Sequence, residues 1–499
     1  MGNIMRAMNR GLIVSLCLAA AACGGNSPTS GGTTPDPTPT VTLSASPTTV
    51  SSGGKSLLTW SSTNATSCTA SGAWSGAEAT SGSQSTSALT ANSSYTLTCA
   101  GAGGNAAQSA TVTVNAPAVS NVLSVVVDGG PAGLAGPSVN TLYTTVTVCV
   151  PGSTTQCQTI DNVQVDTQSY GLRILASVLT ISLPVVAASD GNSLVECTQF
   201  VDGYSWGPVA TADLQMSGET ASKIPVQVIG SSNFTTVPAA CSATGPAEDT
   251  VAAFGANGIV GIGNFPQDCG EACAPGVGSA SIGDYYSCTA TACNPITAAL
   301  NLQVANPVPF FPVDNNGTMI ILPSVAESGA ATVTGSLIFG IDTESNNASG
   351  SQTVLTVQGS ADPLPGNLSS TTFAGQTLTN SFIDSGSNAL YFNDTSIAQC
   401  TASGFTGFYC PPSATNLGAT LNGYAGGSAA VSFTVDKAMT QADNDPSYTA
   451  FATLAATADT FSTPSTTFDW GLPFFYGRTV INVIEGYTTK VGAGPYVAF

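Results

Sequence analysis

One short phrase occurs twice in this chain: an aspartate that closes an apolar run and is followed at once by a hydroxyl residue. The copies are Val165-Asp166-Thr167-Gln168-Ser169 and Ile383-Asp384-Ser385-Gly386-Ser387, and their aspartates stand 218 positions apart. Each continues into a second apolar segment, Gly171-Leu172-Arg173-Ile174 in one and Ala389-Leu390-Tyr391-Phe392 in the other. A phrase used once in each half predicts two similar lobes that present matching loops. Two carboxyls brought together by such loops cannot both ionise easily, so one becomes an acid and the other a base able to activate water.

Other chemistries are largely closed to this chain. It contains no histidine, which removes the Ser-His-Asp triad, the Cys-His pair and the His-ligated zinc site. General acid–base work falls to carboxylates, tyrosines and a few lysines. Asp and Glu outnumber Lys and Arg by 28 to 8, for a formal charge of −20. Such a surface repels phosphate backbones, so nucleic-acid partners are excluded. Neither a phosphate loop nor a metal-ligand cluster is present, so no cofactor or metal is expected. A charged fraction of only 7% with abundant Gly, Ser and Thr also suits a secreted β-protein without catalysis.

The N-terminus carries an address. Arg6 and Arg10 form a basic region and Gly11 to Ala22 a short apolar stretch, too short for a comfortable membrane span. Small residues then lead into Cys23-Gly24-Gly25, a pattern that resembles a bacterial lipoprotein signal. The resemblance implies cleavage before Cys23, lipidation of that cysteine, and anchorage in the cell envelope, at the outer membrane of a Gram-negative bacterium. The Ser/Thr/Pro/Gly-rich stretch that follows reads as a flexible tether.

Of fourteen cysteines, Cys17 leaves with the signal and Cys23 takes the lipid, so twelve remain. Export makes disulfides the default for an even set. Proximity pairs Cys68 with Cys99, Cys149 with Cys157, Cys197 with Cys241, and Cys400 with Cys410. Cys269, Cys273, Cys288 and Cys293 form two further bonds among themselves.

From Val41 to Ala116 the pattern is strand throughout, as in Ser56-Leu57-Leu58-Thr59-Trp60 and Ser94-Tyr95-Thr96-Leu97-Thr98-Cys99. With Trp60 ahead of Cys68 and a Cys68–Cys99 bridge expected between sheets, this segment is similar to an immunoglobulin-like sandwich acting as a spacer. A Pro/Gly/Ala-rich connection, Pro117 to Pro137, contains one strand, Val122 to Val127. Beyond it lie short β-runs and Gly turns, with short helices expected only at Ser396 to Thr401 and Ala438 to Ala442.

In this C-terminal part the order of motifs resembles the pepsin-like aspartic proteases over roughly Val122 to Phe499. Asp166-Thr167-Gln168-Ser169 and Asp384-Ser385-Gly386-Ser387 fall where that family has its two catalytic loops. Gly203-Tyr204-Ser205-Trp206-Gly207 is similar to the flap hairpin; Phe200 falls at the flap tyrosine's place and Tyr204 is near enough to substitute. Asn257-Gly258-Ile259-Val260-Gly261-Ile262, Leu337-Ile338-Phe339-Gly340-Ile341-Asp342 and Gly471-Leu472-Pro473-Phe474-Phe475 resemble later family segments. The resemblance implies Asp166 and Asp384 as the catalytic pair around a water. Thr167 and Ser385 would cross-link the loops, Gly386 would let its loop turn tightly, and Ser169 and Ser387 would bond the outer carboxylate oxygens. Gln168 replaces the family's glycine; it must fit a negative φ or carry strain of about 1–3 kcal/mol, and its amide is able to enter the cleft.

The expected fold is therefore all-β: signal at 1–23, linker at 24–40, immunoglobulin-like sandwich at 41–116, and pepsin-like lobes at 117–305 and 306–499 with a cleft between them. Three functions remain open: an envelope-anchored endopeptidase, a non-catalytic relative binding peptide or glycan in the cleft, and a structural envelope lipoprotein.

Overall fold

The computed structural model describes residues 35–51, 53–115, 120–438, 446–461 and 465–499. The expected signal, Cys23 and most of the tether lie outside the described residues. Strand accounts for 45% and helix for 6%, so the chain is all-β. It divides into two units, Met1–Ala118 and Val119–Phe499.

In the first unit the alternating segments pair as two sheets. Thr40–Ser46, Leu57–Thr63 and Ser81–Ser85 make one; Thr49–Ser51, Gly104–Asn115, Ser93–Gly101, Ser67–Gly72 and Gly76–Glu78 make the other. Leu58, Trp60, Tyr95, Leu97 and Val112 fill the core, with Trp60 edge-on to Trp74 at 5.3 Å between ring centres. The Cys68–Cys99 bond forms, but not between sheets. Its cysteines are directly opposed on neighbouring strands of one sheet, with Cα atoms 4.0 Å apart. Cys68 and Cys99 both fall on the buried phase of their strands' alternation. Because their two strands are hydrogen-bonded neighbours with Cys68 opposite Cys99, the sulfurs meet side by side instead of across the core.

The second unit is organised around a long twisted sheet. Val122–Val127 forms the strand expected within the proline-rich connection. It pairs antiparallel with Leu142–Cys149 on one edge and with Val333–Phe339 on the other, so strands from both halves of the unit flank it.

Each half then repeats one arrangement. In the first, Gly258–Ile262 lies parallel to Cys157–Asp166, with Asp166 opposite Gly261, and antiparallel to Tyr170–Leu175. In the second, Thr467–Trp470 lies parallel to Asn380–Ile383 and antiparallel to Leu390–Phe392. The strand entering and the strand leaving each aspartate loop are thus clamped by a third strand inserted between them. Both inserted strands are buried at every residue, which explains why they read as continuous apolar runs without alternation. Each also brings a glycine against the loop. A Cβ on Gly261 would lie 2.3 Å from Ser169 C, and one on Gly471 would lie 2.1 Å from Ala389 O.

The core of the second half is aromatic: Phe392 stacks on Phe468 at 5.0 Å and Phe468 on Trp470 at 4.3 Å. Trp470 donates its indole N–H to Thr371 Oγ1 at 3.0 Å, satisfying the one polar atom it buries. All six expected disulfides are present, with Cys269–Cys273 and Cys288–Cys293 as the pairing among the last four. Ser396–Thr401 forms turns instead of a helix: Asp394 Oδ1 accepts from Ser396 N at 2.8 Å and Ser396 Oγ at 2.6 Å, the side-chain competition that disfavours helix. Ala438–Ala442, beyond Ala438, lies outside the described residues.

Candidate functional site

Clamped between strands, both aspartate loops adopt one geometry. Gln168 N donates to Asp166 Oδ1 at 2.7 Å, and Gly386 N donates to Asp384 Oδ1 at 2.7 Å. Thr167 Oγ1 donates to Ile383 O at 3.1 Å and accepts from Ser385 N at 3.0 Å. Ser385 Oγ returns the contact, donating to Val165 O at 2.8 Å. Thr167 and Ser385 are fully buried, so each hydroxyl fastens its own loop to the backbone of the other.

This grip brings the two acids together. Both carboxyls crowd the same glycine: a Cβ placed on Gly386 would sit 2.8 Å from Asp166 Cγ and 3.1 Å from Asp384 Oδ1. Gly386 is therefore needed for space; its φ is not in the left-handed region. Burial, and after it the Asp166 and Asp469 charges, hold the Asp384 carboxyl well above the usual carboxylate range, against a smaller pull from Ser387.

Gln168 is accommodated without backbone strain, because its φ is not positive. Its amide turns away from the acids: Nε2 reaches toward Ile383 O at 3.4 Å, and Oε1 lies near Gly366. Ser387 Oγ donates to Asp384 Oδ2 at 2.8 Å as expected. Ser169 does not match it. Its hydroxyl is buried without a hydrogen-bond partner, so the two loops differ in this detail.

The pair opens into a cavity of about 370 Å³. Phe200, Val201 and Asp202, the tip between Ser193–Gln199 and Tyr204–Met216, form part of its wall, and Phe200 packs edge-on against Phe254 at 6.1 Å. Gly203 is required there, since a Cβ would meet Glu248 Oε1 at 2.7 Å. Tyr204 does not take the wall position. It begins the next strand and packs with Trp206, Phe234 and Val237, because strand alternation turns it from the face that Phe200 occupies. Arg173, buried just past the first loop, bonds Glu196 at 2.6 Å and Asp268 at 3.1 Å. It ties that loop's exit strand to the base of the tip hairpin.

Sequence reasoning missed Asp469, Asp202, Glu248 and Tyr391, which also line the cavity. Asp469 is 6% exposed and its Oδ1 has no hydrogen-bond partner; burial holds it well above the usual range. A charged residue inside Thr467-Phe468-Asp469-Trp470-Gly471-Leu472 was the available signal, since carboxylates are seldom buried without purpose. Burial and neighbouring Asp202 push Glu248 up to about 8. Tyr391 donates to Asn388 Oδ1 at 2.6 Å. Among the described residues one group has metal-ligand spacing, Cys269, Cys273 and Asp284, and both of its sulfurs are engaged in a disulfide.

Fold and site together define an all-β protein with a repeated strand clamp and a buried carboxyl pair facing a cavity. Residues 117–499 match the family described as "Protein of unknown function (DUF3443)", and the chain belongs to that family. No curated protein gives a significant match. Among the described residues, no helix is long and apolar enough to cross a membrane.

Proposed function

We propose that this chain is an aspartic endopeptidase with a pepsin-like fold in its second unit, held at the cell envelope by lipid on Cys23. The first unit serves as an immunoglobulin-like spacer. One observation carries the catalytic reading: the Asp166 and Asp384 carboxyls meet around Gly386 inside a reciprocal grip between their loops, at the edge of a cavity. The position of Gln168 supports it, because the amide leaves the acids clear.

In this reading a water between the carboxyls attacks the scissile carbonyl carbon. Its proton passes to Asp166 while Asp384 protonates the carbonyl oxygen, giving a tetrahedral diol. Asp166 then delivers its proton to the amide nitrogen as the C–N bond breaks, and Asp384 regains a proton from the diol hydroxyl. Burial and the neighbouring Asp166 and Asp469 charges favour the protonated form of Asp384, which suits it to the acid's part in this scheme. Phe200 and its neighbours at the hairpin tip cover the substrate and exclude water.

The test is cleavage of a peptide library by purified protein between about pH 3 and 7, where such a pair titrates. Asp166→Asn and Asp384→Asn each abolish turnover, and a pepstatin-type inhibitor binds the wild type. Absence of cleavage across that range overturns the catalytic reading, and retained peptide binding would then identify a non-catalytic binder.

A further inference from the structure

The cavity wall is more acidic than a proton-sharing pair requires. Besides Asp166 and Asp384 it carries Asp202 and Glu248 on the tip side and Asp469 beside the pair, with no lysine or arginine among its lining residues. None of the five cations of this unit, Arg173, Lys223, Lys437, Arg478 and Lys490, lines the cavity. Arg173 is engaged by Glu196 and Asp268, Arg478 lies over the Phe474 ring, and Lys490 sits by Asp342. Asp469 supplies an independent indication, since it is buried in the wall with one carboxyl oxygen unpartnered. A buried polar group without a partner calls for one from outside the fold. Tyr391 lines the same cavity as Asp469, Asp202 and Asp384, so the tip carboxyls and those beside the pair face one small region.

We propose that the cleft selects peptides bearing a lysine or arginine side chain, seated between the Asp202–Glu248 pair and Asp469. An ammonium or guanidinium there gains charge-assisted hydrogen bonds in a site of low dielectric. Glu248, which burial and neighbouring Asp202 hold protonated up to about 8, gives up its proton to solvent as the cation enters, so the net charge of the site changes little. As a statement about cleavage this rests on the endopeptidase reading; as a statement about binding it does not.

The probes are fluorescein-labelled octapeptides in matched pairs, lysine against acetyl-lysine, with the variable residue moved through the central positions. Anisotropy is measured on the full Asp384→Asn chain, and kcat/KM for the same pairs on wild type. At one position lysine is favoured by about tenfold, the low end for charge-assisted hydrogen bonds. Glu248→Gln and Asp469→Asn each reduce that ratio, in binding and in kcat/KM alike. Equal affinity at every position, or a preference untouched by both substitutions, overturns the proposal. If Asp384→Asn does not fold, the wild-type kcat/KM ratio decides. Selective binding with no cleavage keeps the subsite and rejects the protease; cleavage of both members equally keeps the protease and rejects the subsite.

Discussion

Thr167→Val tests whether the interlocked loops hold the second unit together. The substitution exchanges a hydroxyl for a methyl at nearly constant volume, at a position 1% exposed, so packing changes little. It removes the acceptor of Ser385 N at 3.0 Å and the donor to Ile383 O at 3.1 Å. The Ser385 N–H is left buried and unpaired, costing about 1–3 kcal/mol. Ile383 O keeps its long contact with Gln168 Nε2, so its loss is about 1 kcal/mol. The expected destabilisation is therefore about 2–4 kcal/mol, whereas Thr167→Ser, which keeps the hydroxyl, loses about 1 kcal/mol. Urea unfolding of the full chain with disulfides intact, followed by tryptophan fluorescence, measures it; Trp470 is fully buried in this unit. A double-mutant cycle with Ser385→Ala isolates the coupling, expected at about 0.5–3 kcal/mol for groups in one network. A Thr167→Val midpoint within about 0.5 kcal/mol of wild type, the scatter typical of surface substitutions, would refute the interlock.

Gly386→Ala places a methyl 2.8 Å from Asp166 Cγ and drives the carboxyls apart. Peptide turnover falls by at least about a hundredfold, with about 1–3 kcal/mol of overpacking visible in the thermal midpoint; Gln168→Gly, whose side chain lies outside the pair, leaves that midpoint nearly unchanged. Stability is also pH-dependent in a defined sense. Asp384 and Asp469 are held well above the usual range, Asp284 is raised to about 6, Glu219 to about 7 and Glu248 to about 8. The folded chain then binds more protons than the unfolded one from about pH 4, the ordinary carboxylate value, up to about 8. Stability falls as pH rises through that window. Calorimetry is expected to give a higher midpoint at pH 5 than at pH 8, and the opposite order contradicts the burial assigned to these acids.

Local chemistry was legible in the sequence wherever one residue type dictates it. Asp166 and Asp384 were readable because an acid after an apolar run demands a turn, and the twelve cysteines because near neighbours find each other. Features set by non-local packing were not readable. Asp469 stands out as an acid inside an apolar run, but that it faces the pair depends on the strand being inserted between the loop's two strands. The orientation of Gln168 depends on a carbonyl, Ile383 O, contributed by the other half of the unit. Strand phase decides that Tyr204 packs behind the wall, and strand pairing decides that Cys68 and Cys99 share a sheet; both are set by neighbouring strands. Ser169 and Ser387 look equivalent in the chain, yet only Ser387 finds its carboxylate.

Val122–Val127 has a consequence for any attempt to divide this molecule. It is hydrogen-bonded on both sides, to Leu142–Cys149 and to Val333–Phe339. A truncation beginning after it would expose two raw β-edges at once, one in each half, and such edges recruit other chains. The far end of the proline-rich stretch, after Val127, is therefore a poor place to cut, and a fragment of the second unit has to begin ahead of Val122, as the 116/117 boundary does, to remain soluble.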